Sequence, residues 1–177
     1  MRLFIAIELP KSFIKEVLRL QEALRAQSQG GRFVPRGNFH LTLHFIGESR
    51  DLAGAAEAMG EAVRGIRPFG LHLGEMGAFP HKEGHTVFLH GQGQLSELNA
   101  LYESLQSALL ERGFPRAQKA FTPHITLARG VALPEGGLAA LSYAPANASM
   151  LVQSITLFES QRQGRDMVYL PLHRERF

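Results

Sequence analysis

Two stretches of this chain, Asn38-Phe39-His40-Leu41-Thr42-Leu43-His44-Phe45-Ile46-Gly47-Glu48 and Pro123-His124-Ile125-Thr126-Leu127-Ala128-Arg129, carry one pattern. In each, a histidine and a threonine stand two residues apart, with branched apolar residues between and after them. The histidines are 84 residues apart in a chain of 177. With 8 His and 5 Thr, chance would place His-x-Thr about 0.2 times in such a sequence, so two copies mark a repeated element. Both copies read as strands. Side chains of a strand alternate between its faces, so His40, Thr42 and His44 are expected on one face with Leu41, Leu43 and Phe45 behind them. In the second copy His124 and Thr126 share a face, with Ile125 and Leu127 behind.

Working outward, a helix precedes each strand. Lys11 to about Gln27 keeps an apolar stripe of Phe13, Ile14, Val17, Leu18, Leu20 and Leu24 and is stopped by Gly30-Gly31. Leu95 to Glu111 does the same with Leu95, Leu98, Leu101, Leu105 and Leu109, and Gly113 lies just beyond it. Each intervening loop holds a Pro-Arg pair, Pro35-Arg36 and Pro115-Arg116. The order helix, loop, strand thus occurs twice, over Lys11 to Gly47 and Leu95 to Gly130, which points to an internal duplication.

The remaining elements are shorter. Arg2 to Glu8 reads as a buried strand ended by Pro10, Phe33 to Gly47 as one continuous strand, and Asp51 to Gly65 as a helix. Phe69 to Phe79 and Thr86 to His90 form a strand pair across a turn at Pro80 to Gly84. Phe121 to Arg129 is a strand, Pro134 to Asn147 a loop with one helical turn, and Ser149 to Phe158 and Met167 to Leu172 are closing strands around a turn at Gln161 to Asp166. Irregular alternation with short turns makes the class α+β with antiparallel sheets, in a single domain spanning residues 1–177.

Composition narrows the chemistry. No cysteine is present, which removes disulfides, thiolate nucleophiles and Cys-based metal sites together. Aspartate occurs only at Asp51 and Asp166, so a carboxylate cage for two metal ions is not expected. His81, His85 and His90 surround one turn, and a polar hairpin explains them better than a metal site. The first apolar run, Leu3 to Ile7, stops at Glu8 and Pro10, too short for a signal peptide core or a membrane span, and a cytoplasmic protein is expected. Arginine supplies 15 of the 19 basic residues and the pI is about 9.6, which suits a phosphate-bearing partner or equally a solvated surface.

Two opposed imidazoles suit in-line displacement at phosphorus, where one group takes a proton from the nucleophile and the other gives one to the leaving oxygen. The hydroxyls of Thr42 and Thr126 can donate to the non-bridging oxygens. Arg129 is the nearest cation for the charge that develops, but strict alternation sets it on the face opposite His124. It reaches the site only if the strand bulges or ends there, which Gly130 would allow.

These motifs, with the opening Arg2-Leu3-Phe4-Ile5-Ala6-Ile7 and the closing Tyr169-Leu170, resemble the two-histidine phosphoesterase superfamily. The match is to its RNA 2′,3′-cyclic phosphodiesterases, also called 2′-5′ RNA ligases. The resemblance implies two pseudo-symmetric lobes, each an antiparallel sheet with outer helices, around a central cleft. It implies metal-free chemistry without a cofactor, in which His124 activates water and His40 protonates the departing ribose 3′ oxygen, leaving a 2′-phosphate. Thr42, Thr126 and Arg129 would hold the phosphate. Run backwards with an RNA 5′-hydroxyl, the site would make a 2′-5′ linkage. The implied partner is RNA ending in a 2′,3′-cyclic phosphate, tRNA fragments among them, met by a monomer that binds no membrane.

Where relatives commonly carry tryptophan before the first motif, this chain has Phe33. Phe45 and Phe121 are candidate stacking partners for a base, although alternation points Phe45 into the core. His44 is read as a rim residue, and Arg32 and Arg36 either line an RNA path or form an ordinary basic loop. Two other functions fit the same residues: a non-catalytic module that binds RNA ends, and a phosphodiesterase of small cyclic nucleotides or 2′-5′ oligonucleotides.

Overall fold

The computed structural model describes residues 1–177 and contains nine strands and three α-helices. Strand β1 (Arg2–Glu8) is buried on both faces, as its unbroken apolar run requires. Leu3, Ile5 and Ile7 enter the main core, while Phe4 and Ala6 join a separate small cluster with Phe158 and Tyr169. Pro10 then opens helix α1 (Lys11–Gln27), which buries Phe13, Val17, Leu20 and Leu24 at helical spacing. The Ser28 hydroxyl closes its last turn by donating to the Leu24 carbonyl at 2.7 Å.

The single strand expected from Phe33 to Gly47 is instead three pieces: β2 (Arg32–Phe33), a 3-10 turn over Arg36–Asn38, and β3 (His40–Glu48). Pro35 has no N–H to give a ladder, so the chain leaves the sheet there and re-enters at the first histidine. Helix α2 (Leu52–Ala62) follows, capped by the Asp51 carboxylate, which accepts from the Gly54 N–H at 2.8 Å. The hairpin β4 (Phe69–His81) and β5 (Gly84–Gly93) turns in only two residues, tighter than expected, because Gly84 takes φ +111°. Helix α3 (Leu95–Glu111) leads to β6 (His124–Val131). The strand expected from Ser149 to Phe158 divides into β7 (Ser149–Val152) and β8 (Ser154–Gln163), which belong to different sheets, and β9 (Asp166–Arg176) ends the chain.

All pairings are antiparallel. One sheet has the order β3-β1-β8-β9 and the other β2-β6-β5-β4-β7. The duplicated unit includes one strand more than the sequence indicated, β1-α1-β3 in one lobe and β5-α3-β6 in the other. Helix α1 crosses to pack on β6 of the five-stranded sheet, while α2 lies against β8, β9 and α3. Consequently one cluster of 36 buried apolar residues runs through both lobes, and neither has a core of its own. No helix is long and apolar enough to cross a membrane.

Candidate active site

Register decides what faces the cleft. Along β3, Ala6 pairs with Thr42 and Ile5 with His44, so Leu43 is an extra residue, and a second bulge falls at Ile46. Along β6, Phe88 pairs with Thr126 and Val87 with Ala128, which makes Leu127 the extra residue. Each strand therefore bulges at the residue after its threonine, and each bulge flips the alternation downstream. Leu43 and His44 both turn inward, as do Leu127 and Ala128. Three expectations change as a result. His44 is a core residue only 2% exposed, not a rim residue; Phe45 leaves the core for the cleft face and is 67% exposed. Arg129 comes round to the face of His124 and Thr126 through the bulge at Leu127, and a second irregularity follows at Arg129 and Gly130, where Gly130 takes φ +70°. Phe45 and Arg129 thus occupy matching places, five residues beyond the two histidines.

The two motif strands approach each other where the sheets meet. Gly91 permits this approach, since a Cβ there would lie 3.2 Å from Leu41 Cδ1 and 3.3 Å from Pro123 Cβ. At the start of each strand the imidazole folds back on its own chain. His40 Nδ1 is 2.8 Å from the Asn38 carbonyl and His124 Nδ1 is 2.6 Å from the Thr122 carbonyl. A carbonyl only accepts, so Nδ1–H donates in both and Nε2 is left with its lone pair for the cleft. Aromatic edges hold the rings. Phe4 and Tyr169 centroids lie 5.0 and 5.2 Å from His40, and Phe88 and Phe79 lie 5.1 and 5.5 Å from His124. Gly77 makes room on the second side, because a Cβ there would sit 2.5 Å from the Phe88 ring.

Burial is the main reason that both histidines are harder to protonate than free imidazole. His40 is pushed down to about 4, with the charges of Arg129 and His124 adding to the effect and the Asn38 carbonyl opposing it. His124 is lowered by burial, against the pull of the Thr122 carbonyl, and further by Arg129 and His90. The Arg129 guanidinium therefore acts on both imidazoles, from the strand that meets β3 where the sheets approach. Thr42 and Thr126 share the faces of their histidines ahead of the bulges. The arrangement offers two imidazoles that burial keeps largely neutral at neutral pH, with the exposed Arg129 guanidinium near enough to lower both.

Several neighbours were hidden in the sequence. His90 pairs across the ladder with His124 and does not belong to a three-histidine group with His81 and His85. Arg32 pairs across from Arg129 at the sheet edge, while Arg36 is exposed in the 3-10 turn. Phe33 lies under the guanidinium of Arg25, 3.9 Å from the ring centroid, so its role is packing against α1. Phe121 stacks on Tyr102 at 4.2 Å and not beside the histidines. Only pairing registers, which no local pattern reveals, could have identified His90 and Tyr169 as neighbours of the site.

Comparisons with known proteins agree with this layout. The profile of the 2′-5′ RNA ligase superfamily matches residues 9–164. The RNA 2′,3′-cyclic phosphodiesterase of Thermotoga maritima is 35% identical over 131 residues, covering 73% of this chain and 70% of that protein. The Escherichia coli protein of the same name is 30% identical over 177 residues, 98% and 94% of the two chains. Among solved structures, TT0787 of Thermus thermophilus superposes with a TM-score of 0.82 at 27% identity, covering 98% of this chain and 96% of that one. E. coli LigT complexed with 3′-AMP gives 0.77 at 28% identity, with 99% and 97% covered. The match spans both motif strands and the helices that support them, and the chain belongs to the 2′-5′ RNA ligase superfamily.

Proposed function

We propose that this protein is an RNA 2′,3′-cyclic phosphodiesterase that opens the cyclic ester with its own histidines. The observation that supports the proposal is the pair of imidazoles on the two strands that meet between the sheets, each bonded through Nδ1 to the carbonyl two residues before it so that Nε2 stays free, and each lowered by the Arg129 charge. His124, kept neutral by burial, takes a proton from water through Nε2 as the oxygen attacks phosphorus in line with the 3′ oxygen. The P–O3′ bond breaks and His40 Nε2 gives its proton to that oxygen, leaving a 2′-phosphate and a free 3′-hydroxyl. Arg129 and the hydroxyls of Thr42 and Thr126 offset the charge on the non-bridging oxygens.

A depressed pKa is the wrong starting state for an acid, so His40 must gain its proton with the substrate. The phosphate anion supplies the reason, since it favours the charged imidazole beside it. Phe45, on the cleft face of the other motif, offers an exposed ring against which the terminal base can stack. Reversal with an RNA 5′-hydroxyl in place of water joins ends through a 2′-5′ linkage. The substrate class is RNA with a cyclic phosphate end, such as tRNA fragments, and the enzyme works as a cytoplasmic monomer without metal or cofactor.

The test is to incubate the protein with a 2′,3′-cyclic-phosphate-ended oligoribonucleotide and with a mononucleoside 2′,3′-cyclic phosphate, each with and without chelator. Turnover of the oligonucleotide to a 2′-phosphate in chelator is expected. Turnover of the mononucleotide alone identifies a small-nucleotide enzyme, and turnover of neither identifies a binding module. Loss of activity on chelation rejects the metal-free scheme.

A further inference from the structure

Helices α1 and α3 each bury one glutamine against a motif strand. Gln21 is 3% exposed and Gln106 is 1% exposed. A buried amide is costly unless its hydrogen bonds are made, and a leucine would fill such a place without that requirement. Leucine is what α3 carries where the 84-residue offset maps Gln21, at Leu105, and the position matching Gln106 is Glu22. The duplication therefore does not account for either glutamine.

Their partners do. Gln21 Nε2 donates to the carbonyls of Val34 and Leu127, both at 2.9 Å. Leu127 is the bulge residue of β6, and its carbonyl also accepts the Val34 N–H at 2.9 Å. In the other lobe Gln106 Nε2 donates to His44 Nδ1 at 2.9 Å, while its Oε1 accepts from the Ala117 N–H at 3.1 Å and so fixes which end of the amide meets the ring. His44 is the residue just after the bulge at Leu43. Each bulge is thus gripped from behind by a glutamine of an outer helix. The grip on β6 comes from α1, an element of the other duplicated unit.

We propose that Gln21 is a positioning residue for the phosphate site: it holds the Leu127 carbonyl, and with it the bulge that turns Arg129 toward the cleft. This rests on the phosphate-binding role given to Arg129 above. Without the amide, the Val34 and Leu127 carbonyls lose this donor, and the Leu127 carbonyl at the bulge keeps the Val34 N–H alone, beside the pairing of Phe33 with Ala128 and Arg32 with Arg129. The strand is then freer to return to regular pairing, which would swing Arg129 away from His124.

A double-mutant cycle tests this. Kinetics are measured on a 2′,3′-cyclic-phosphate-ended RNA for Gln21→Leu, Arg129→Ala and the double variant, with thermal unfolding in parallel. Gln21→Leu is expected to raise KM about tenfold with a smaller change in kcat, and to add nothing in the Arg129→Ala background. By NMR titration, His124 should become easier to protonate in Gln21→Leu, as in Arg129→Ala, because both remove the guanidinium charge from beside it. Gln106→Leu, which touches the other strand, should act additively with Arg129→Ala. An equal loss from Gln21→Leu in both backgrounds, or an unmoved His124 titration, overturns the inference while leaving the assignment of Arg129 intact. An Arg129→Ala enzyme with unchanged kinetics removes that assignment and the inference together. Gln21→Met, closer in length, serves the same cycle if Gln21→Leu does not fold.

Discussion

Inorganic phosphate should bring a proton onto His40. In the free protein burial holds this imidazole at about 4, so at pH 6 it is almost wholly neutral. An anion at contact distance, ~4 Å, interacts with a unit charge by about 4 kcal/mol at an effective dielectric constant near 20, or roughly 3 pK units. Arg129 offsets part of this, so a rise of about 1 to 3 units is expected in the complex. The assay is the ring Cε1–H resonance of each histidine, followed by two-dimensional NMR from about pH 3.5 to 8 with and without saturating phosphate. Calorimetry at pH 6 in two buffers of different ionisation heat gives an independent count of protons taken up. A His40 titration unmoved by saturating phosphate, with His124 responding, would refute the assignment of His40 as the group that protonates the leaving oxygen.

Four other outcomes follow from the same geometry. His40→Ala and His124→Ala should each lower turnover by ~10² to 10⁴ with little change in phosphate affinity, checked by single-turnover kinetics. Thr42→Ala and Thr126→Ala should cost less, about 10-fold to 100-fold, because each removes one hydrogen bond to developing charge. Phe45→Ala should raise KM for RNA by roughly 5-fold to 150-fold, the equivalent of one lost base stack, and leave inorganic phosphate binding unchanged in calorimetry. His40 also makes the fold acid-sensitive. Its folded-state pKa lies below the unfolded value of 6.5, so the unfolded chain binds the extra proton and stability falls as pH drops from about 6.5 to about 4. The loss approaches about 3 kcal/mol, with His44 and His124 shifted in the same direction. Urea unfolding of His40→Gln at pH 7 and pH 4.5 should show a smaller difference than the parent protein.

His44 shows a further consequence of burial. Its Nδ1 accepts from Gln106, and burial makes the ring harder to protonate, with the Gln106 side chain and the Pro115 carbonyl acting the other way. This histidine is structural, although alternation from His40 and Thr42 would set it beside them in the site.

Local pattern was enough to locate both motif strands, the helices before them, the α+β class and the four residues His40, Thr42, His124 and Thr126. Those conclusions depend on apolar periodicity and on a repeat of four residues, which are properties of neighbours in the chain. The destinations of His44, Phe45 and Arg129 were not available in that way. They depend on bulges at Leu43 and Leu127, and a bulge exists only relative to the strand paired alongside. The break of the Ser149–Phe158 stretch between two sheets and the grip of Gln21 on Leu127 are likewise contacts between segments far apart in sequence. The amino-acid order alone therefore determined which chemistry the protein carries. The tertiary structure decided which side chains join the two histidines on their faces of β3 and β6, because one unpaired residue in a ladder reverses every face beyond it.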